Sequence, residues 1–208
     1  MDQGTQHSLK VKQYETILEK RFSDYKLLIC VCLSSVALLF LTLTGFYVMS
    51  QQHLDEGEQV FRLHPVFYLN ALNLFLTSIT LLMCNRYFAK DNYTRYKISL
   101  LSTFVYGVVF LLGQIGGTIL LWRQGYTISH NTAVFWHVMV ALHGLHLAGG
   151  LGFLFLFKRR AFRSLKEFAT SIVYFTDPVE KLELVNLNYY WHFLTLLWCY
   201  LLVFFALA

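Results

Sequence analysis

The sequence predicts an all-α integral membrane protein, a bundle of five transmembrane helices with the N-terminus in the cytoplasm and the C-terminus outside. Three observations carry that prediction. The 208 residues are 56% hydrophobic and only 14% charged, where a soluble domain carries about a quarter charged residues. The apolar residues fall in five continuous runs, about 27–49, 66–84, 98–122, 133–157 and 190–208. Each run is of spanning length, and none alternates as a barrel strand does. Lys and Arg in the segments before, between and after the runs number 5, 1, 4, 1, 6 and 0. An N-terminus inside places 15 of the 17 on the cytoplasmic side, a strong positive-inside bias. The net charge of +5 is then a topology signal, and no nucleic-acid partner is expected from it.

Taken in order, residues 1–26 are a polar cytoplasmic segment ahead of a membrane domain over 27–208. Lys10, Lys12, Lys20, Arg21 and Lys26 among acids and scattered apolar residues fit a short helix at the membrane surface. No small-residue cleavage site follows, so the first run is expected to be an uncleaved anchor. The second run places Asn70, Asn73, Thr77, Thr80 and Cys84 on one helical face. The third carries Thr103, Gly107, Gln114 and Thr118, and Gly113 and Gly117 at the spacing that lets helices approach closely. The fifth carries Asn188, His192, Thr195 and Cys199. Before it, Asp177-Pro178-Val179-Glu180 reads as a helix start: Asp caps free amides and Pro suits the first helical position. A helix from Pro178 to the end is too long for the bilayer and projects beyond it. Cys30, Cys32, Cys84 and Cys199 lack metal or disulfide spacing and are expected to be small buried hydrophobes.

The fourth run is the informative one. Ala133 to Phe157 is 25 residues without formal charge, yet it holds His137, His143 and His146. One face carries Trp136, Met139, His143, His146 and Gly150, and beside it lie Ala141, Gly144, Ala148 and Gly152. Ionisable groups at membrane depth commonly mark a function. All 12 Asp and Glu lie outside the five runs, however, which argues against a pump or an ion-coupled carrier. Haem between helices needs paired axial ligands. His143 with His192 offers one pair; His130, 13 residues before His143, has no matched partner. A metal site at His143 and His146 lacks a third ligand. No nucleotide or hydrolase motif occurs. The histidines therefore read as neutral imidazoles bonded to facing polar groups, in a seam that packs helices together.

Two motifs add a resemblance. Leu142-His143-Gly144-Leu145-His146-Leu147-Ala148-Gly149-Gly150 resembles the helix of cytochrome c oxidase subunit III in which a His-Gly-x-His motif precedes small residues. Tyr190-Trp191-His192-Phe193, followed by Trp198, is similar to that family's last helix. Pro65 with the second run, and Gln114 in the third, fit the same order over about residues 27–208. The resemblance implies a subunit of a haem-copper terminal oxidase in a bacterial inner membrane, of the short five-span form. It also implies no cofactor in this chain, with haem and copper held by partner subunits. Oxidase subunit I is the implied main partner; subunit II, membrane phospholipids and a respiratory supercomplex are further ones. The implied role is non-redox, in assembly, durability and proton uptake of the catalytic subunit. The residues carried over by position are His143, His146, Tyr190, Trp191 and His192; with Gly144, Gly150 and Gln114 they are expected to form a structural seam. In two places the chain departs from the family: Ser35 and Thr195 stand where it commonly has acids. Two other readings are a haem-binding electron-transfer protein using His143 and His192, and the subunit III-like protein associated with nitric oxide reductases.

Overall fold

The computed structural model describes residues 3–51, 63–126, 131–165 and 168–207, with side chains described for 23–51, 63–126, 133–165 and 170–207. These residues form six helices: α1 (Gln3–Gln51), α2 (Val66–Phe88), α3 (Tyr93–Arg123), α4 (Asn131–Ser164), α5 (Phe168–Thr176) and α6 (Pro178–Leu207). No strand occurs among them. Five helices contain stretches long and apolar enough to cross a membrane: Ser23–Gln51, Val66–Phe88, Tyr93–Arg123, Ala133–Ser164 and Pro178–Leu207.

The chain divides into two compact units, Met1–Val36 and Ala37–Ala208. The first is helical from Gln3 onward, as part of α1. The expected short surface helix is thus not a separate element: no Pro or Gly stands between Thr5 and Val36 to end it. The described α1 side chains that are buried are Phe40, Thr44 and Tyr47, all within the second unit. Cys30 and Cys32 are exposed, contrary to the expectation of burial; both lie in the Met1–Val36 unit, none of whose described side chains is buried. Cys84 is buried as expected.

The turns of the second unit follow from local chemistry. The turn after α2 closes on a left-handed residue, Asp91 at φ 52°. There the Asn92 N–H reaches the Tyr87 carbonyl at 3.0 Å and the Asp91 N–H reaches Phe88 at 3.2 Å, satisfying carbonyls the helix leaves free. Asn92 then caps α3, its Oδ1 accepting from the Arg95 N–H at 3.1 Å. α3 closes the same way on Gly125 at φ 94°, with the Tyr126 N–H on the Leu121 carbonyl at 3.1 Å. α6 starts where the sequence places it: the Val179 N–H donates to Asp177 Oδ1 at 2.8 Å. Its 30 residues extend about 45 Å, longer than a hydrocarbon core of about 30 Å.

α5 is the element absent from the sequence reading. Its Tyr174 and Phe175 close an aromatic cluster with Phe88 and Tyr96, with centroids 5.2–6.2 Å apart. The Tyr96 and Tyr174 hydroxyls lie 3.1 Å apart. Burial pushes the Tyr174 phenol above its ordinary range. Beside it, Arg160 at the end of α4 meets Glu180 at 3.4 Å and also pairs with Glu183, fixing α4 to the start of α6.

Candidate functional site

The centre of the Ala37–Ala208 unit is aromatic. Trp136 of α4, Trp191 and Trp198 of α6, Phe67 of α2 and Phe110 of α3 have essentially no exposed surface. Phe67 meets Trp136 edge-to-face at 5.0 Å, and Phe110 meets Trp198 at 5.2 Å and 88°. Such contacts add about 0.5–1.5 kcal/mol each beyond area burial. His143 sits among them with 0% exposure. Its ring lies 4.9 Å from Trp198 and 5.7 Å from Phe110. Its Nε2–H donates to the Leu194 carbonyl at 3.3 Å.

The remaining motif residues are placed as follows. His146 is half-buried and donates from Nδ1 to the Leu142 carbonyl of its own helix at 2.7 Å. The His146 carbonyl accepts the Tyr190 hydroxyl at 2.7 Å. Gly150 makes room for that ring: a Cβ there would stand 2.7 Å from Tyr190 Cε1. Gly144 lies beside Gln114, whose amide donates to the Val140 carbonyl at 2.8 Å. Trp191 is fully buried, and its indole N–H donates to Thr77 Oγ1 at 2.7 Å. His192 is half-buried, and its Nε2 has no hydrogen-bond partner among the described residues. His137 donates from Nδ1 to the Ala133 carbonyl at 2.6 Å, while His130 lies outside the described residues. The structure thus brings His143, His146, Gly150, Tyr190 and Trp191 together along α4 and α6. It does not set His192 against His143, because Leu194, not His192, faces the imidazole.

The polar stripes of the other helices also turn inward. The Asn70 amide donates to the Phe110 carbonyl at 2.8 Å, so α2 is fixed to α3. Thr80 and Thr103 hydroxyls lie 2.8 Å apart, and Ser78 and Thr195 hydroxyls 2.9 Å. Thr44 of α1 reaches the Tyr200 hydroxyl at 2.8 Å. Every one of these bonds joins two different helices, the use to which polar side chains are put where water is absent.

The chain is similar to a "Probable cytochrome c oxidase subunit 3" of Mycobacterium bovis (strain ATCC BAA-935 / AF2122/97). The two are 33% identical over 99 residues, which is 46% of this chain and 43% of the relative. The match therefore spans less than half of that curated protein. No family model matches the chain.

Sequence reasoning passed over Thr77 as the partner of Trp191, and Trp198 and Phe110 as the walls around His143. Thr77 had been placed on the right face, but which residue of Tyr190-Trp191-His192 would meet it depends on the rotation of α6. No pattern within one helix specifies that rotation.

Proposed function

We propose that this chain is a non-redox subunit III of a haem-copper terminal oxidase, set in a bacterial plasma membrane with its N-terminus inside and its C-terminus outside. The observation that carries the reading is the interlock of its two motifs. Gly150 and the His146 carbonyl receive Tyr190, and His143 donates to the Leu194 carbonyl. The partial likeness to an oxidase subunit 3 supports it from a separate direction. Tyr190 and His143 each make a helix-to-helix bond there, and no Asp or Glu stands inside the five apolar runs. The role that follows is mechanical. The chain supports the assembly, lifetime and proton uptake of a catalytic subunit I, beside subunit II, bilayer phospholipids and any supercomplex partners, while haem and copper belong to those partners.

The haem-carrying alternative would need His143 Nε2, which donates to the Leu194 carbonyl, and a ring that is instead packed against Phe110 and Trp198. A place beside a nitric oxide reductase would be recognised by the partner that accompanies the chain. The test of the proposed role is turnover. Oxidase carrying His143→Ala is expected to start at a near-normal rate, then lose activity over fewer turnovers and accumulate to lower yield. An immediate loss of initial rate in a normally assembled complex contradicts it.

A further inference from the structure

Between α3 and α4 lies a groove of about 430 Å³, walled by Ile115, Ile119 and Trp122 on one side and by His137, Ala141 and Gly144 on the other. Two buried polar atoms line it without a hydrogen-bond partner among the described residues, His137 Nε2 beside Trp122 and Gln114 Oε1 deeper in, Gln114 being only 2% exposed. The Gln114 amide is used on the Val140 carbonyl, and Oε1 has no hydrogen-bond partner among the described residues. That oxygen lies 3.6 Å from where a Cβ on Gly144 would stand. A bare acceptor in an apolar setting is costly, so whatever fills the groove has reason to bring a donor. Gln114 is nine residues from the Arg123 end of α3, about 13 Å along the axis. The hydroxyl and amine donors of bilayer lipids sit at headgroup depth, and a lipid tail offers none.

The groove floor continues along α4. Ala141, Gly144, Ala148 and Gly152 recur at spacings of three and four, so they share a face. Ala141, Ala148 and Gly152 are exposed, and a Cβ on Gly152 would meet nothing within 4 Å. From Ala141 to Gly152 the strip runs about 16 Å, a flat track matched to a helix rather than to a small molecule. In lipid, helices associate where small residues let backbones approach and a polar side chain supplies a bond.

We infer that the α3–α4 groove and the Ala141–Gly152 strip dock one transmembrane helix of the haem-bearing partner subunit, through an O–H or N–H side chain that donates to Gln114 Oε1. This rests on the reading of the chain as an oxidase subunit. The partner helix is apolar along the strip, with one Ser, Thr, Asn, Gln or Tyr at the depth of Gln114.

The test places a benzophenone amino acid at Ala148 or at Gly152 of the full-length tagged chain in its own membranes. Leu69, 65% exposed on α2, serves as the off-face position. Illumination is expected to join positions 148 and 152, and not 69, to one helix of the haem-bearing chain, as read by mass spectrometry. Gln114→Leu is expected to lower the partner recovered per tagged chain about threefold, the worth of a typical interhelical hydrogen bond. Because that change also removes the bond to Val140, Gly152→Leu is the second variant. It adds bulk where this chain has open space, so the chain accumulates normally while the partner is lost. Adducts at 148 and 152 to lipid alone, or to a second copy of this chain, overturn the docking inference while a co-purifying haem-bearing partner leaves the proposed function standing. Absence of any haem-bearing partner overturns both.

Discussion

At the scale of single residues, the core side chains of the Ala37–Ala208 unit are fixed by specific bonds and close packing. Trp191 and Thr77 are the sharpest pair: both are 0% exposed, and the indole N–H has the Thr77 hydroxyl at 2.7 Å. Thr77→Val keeps the shape and leaves a buried donor without its acceptor, which is expected to destabilise the chain by about 1–3 kcal/mol. Unfolding in mixed micelles measures it, and a double-mutant cycle with Trp191→Phe is expected to show coupling between the two positions, the combined loss being smaller than the sum of the separate ones. Glycines give a second comparison. A Cβ on Gly150 would stand 2.7 Å from Tyr190, whereas one on Gly45 would meet nothing within 4 Å. Gly150→Ala is therefore expected to cost about 1–3 kcal/mol, while Gly45→Ala is neutral or slightly stabilising. Equal tolerance of the two, by thermal unfolding in detergent, contradicts the packing described for α4 and α6.

At the scale of elements, the five apolar runs made the five spanning helices legible from the sequence, and the Asp177-Pro178 pair marked the start of α6 to the residue. Asp177→Ala is expected to weaken that start by about 0.5–2 kcal/mol, visible as faster amide exchange at Val179 and Glu180. α5 was not legible for a physical reason. Nine residues are too few to span, and Phe168–Thr176 sits in a link dominated by its charged flanks, so nothing in the local pattern separates it from a loop. Its order comes from Tyr96 and Phe88 on other helices, a tertiary cause. The histidine stripe was legible only as a stripe. His143 turned out wholly buried and His146 half-buried, one turn apart, because the approach of α6 decides which side of the face is covered. The basic residues make a prediction about orientation. A periplasm-dependent reporter fused after Gln124 is expected to be active, and the same reporter fused after Lys90 or Ser164 inactive. The reverse pattern would invert the proposed topology.

At the scale of the whole molecule, the described histidines of α4 are held by carbonyls: His143 bonds across to α6, and His137 and His146 bond to their own helix. On the proposed function, the chemistry belongs to a haem-bearing neighbour. The direct measurement is to tag this chain, solubilise its membranes in mild detergent, and record the reduced-minus-oxidised spectrum and polypeptide composition of what elutes with it. The account predicts a haem-bearing polypeptide in one-to-one ratio with the chain, and a haem signal that stays with that polypeptide when the two are separated. A chain that elutes stable and alone contradicts it, as does a haem signal that remains with the separated chain and disappears in His143→Ala.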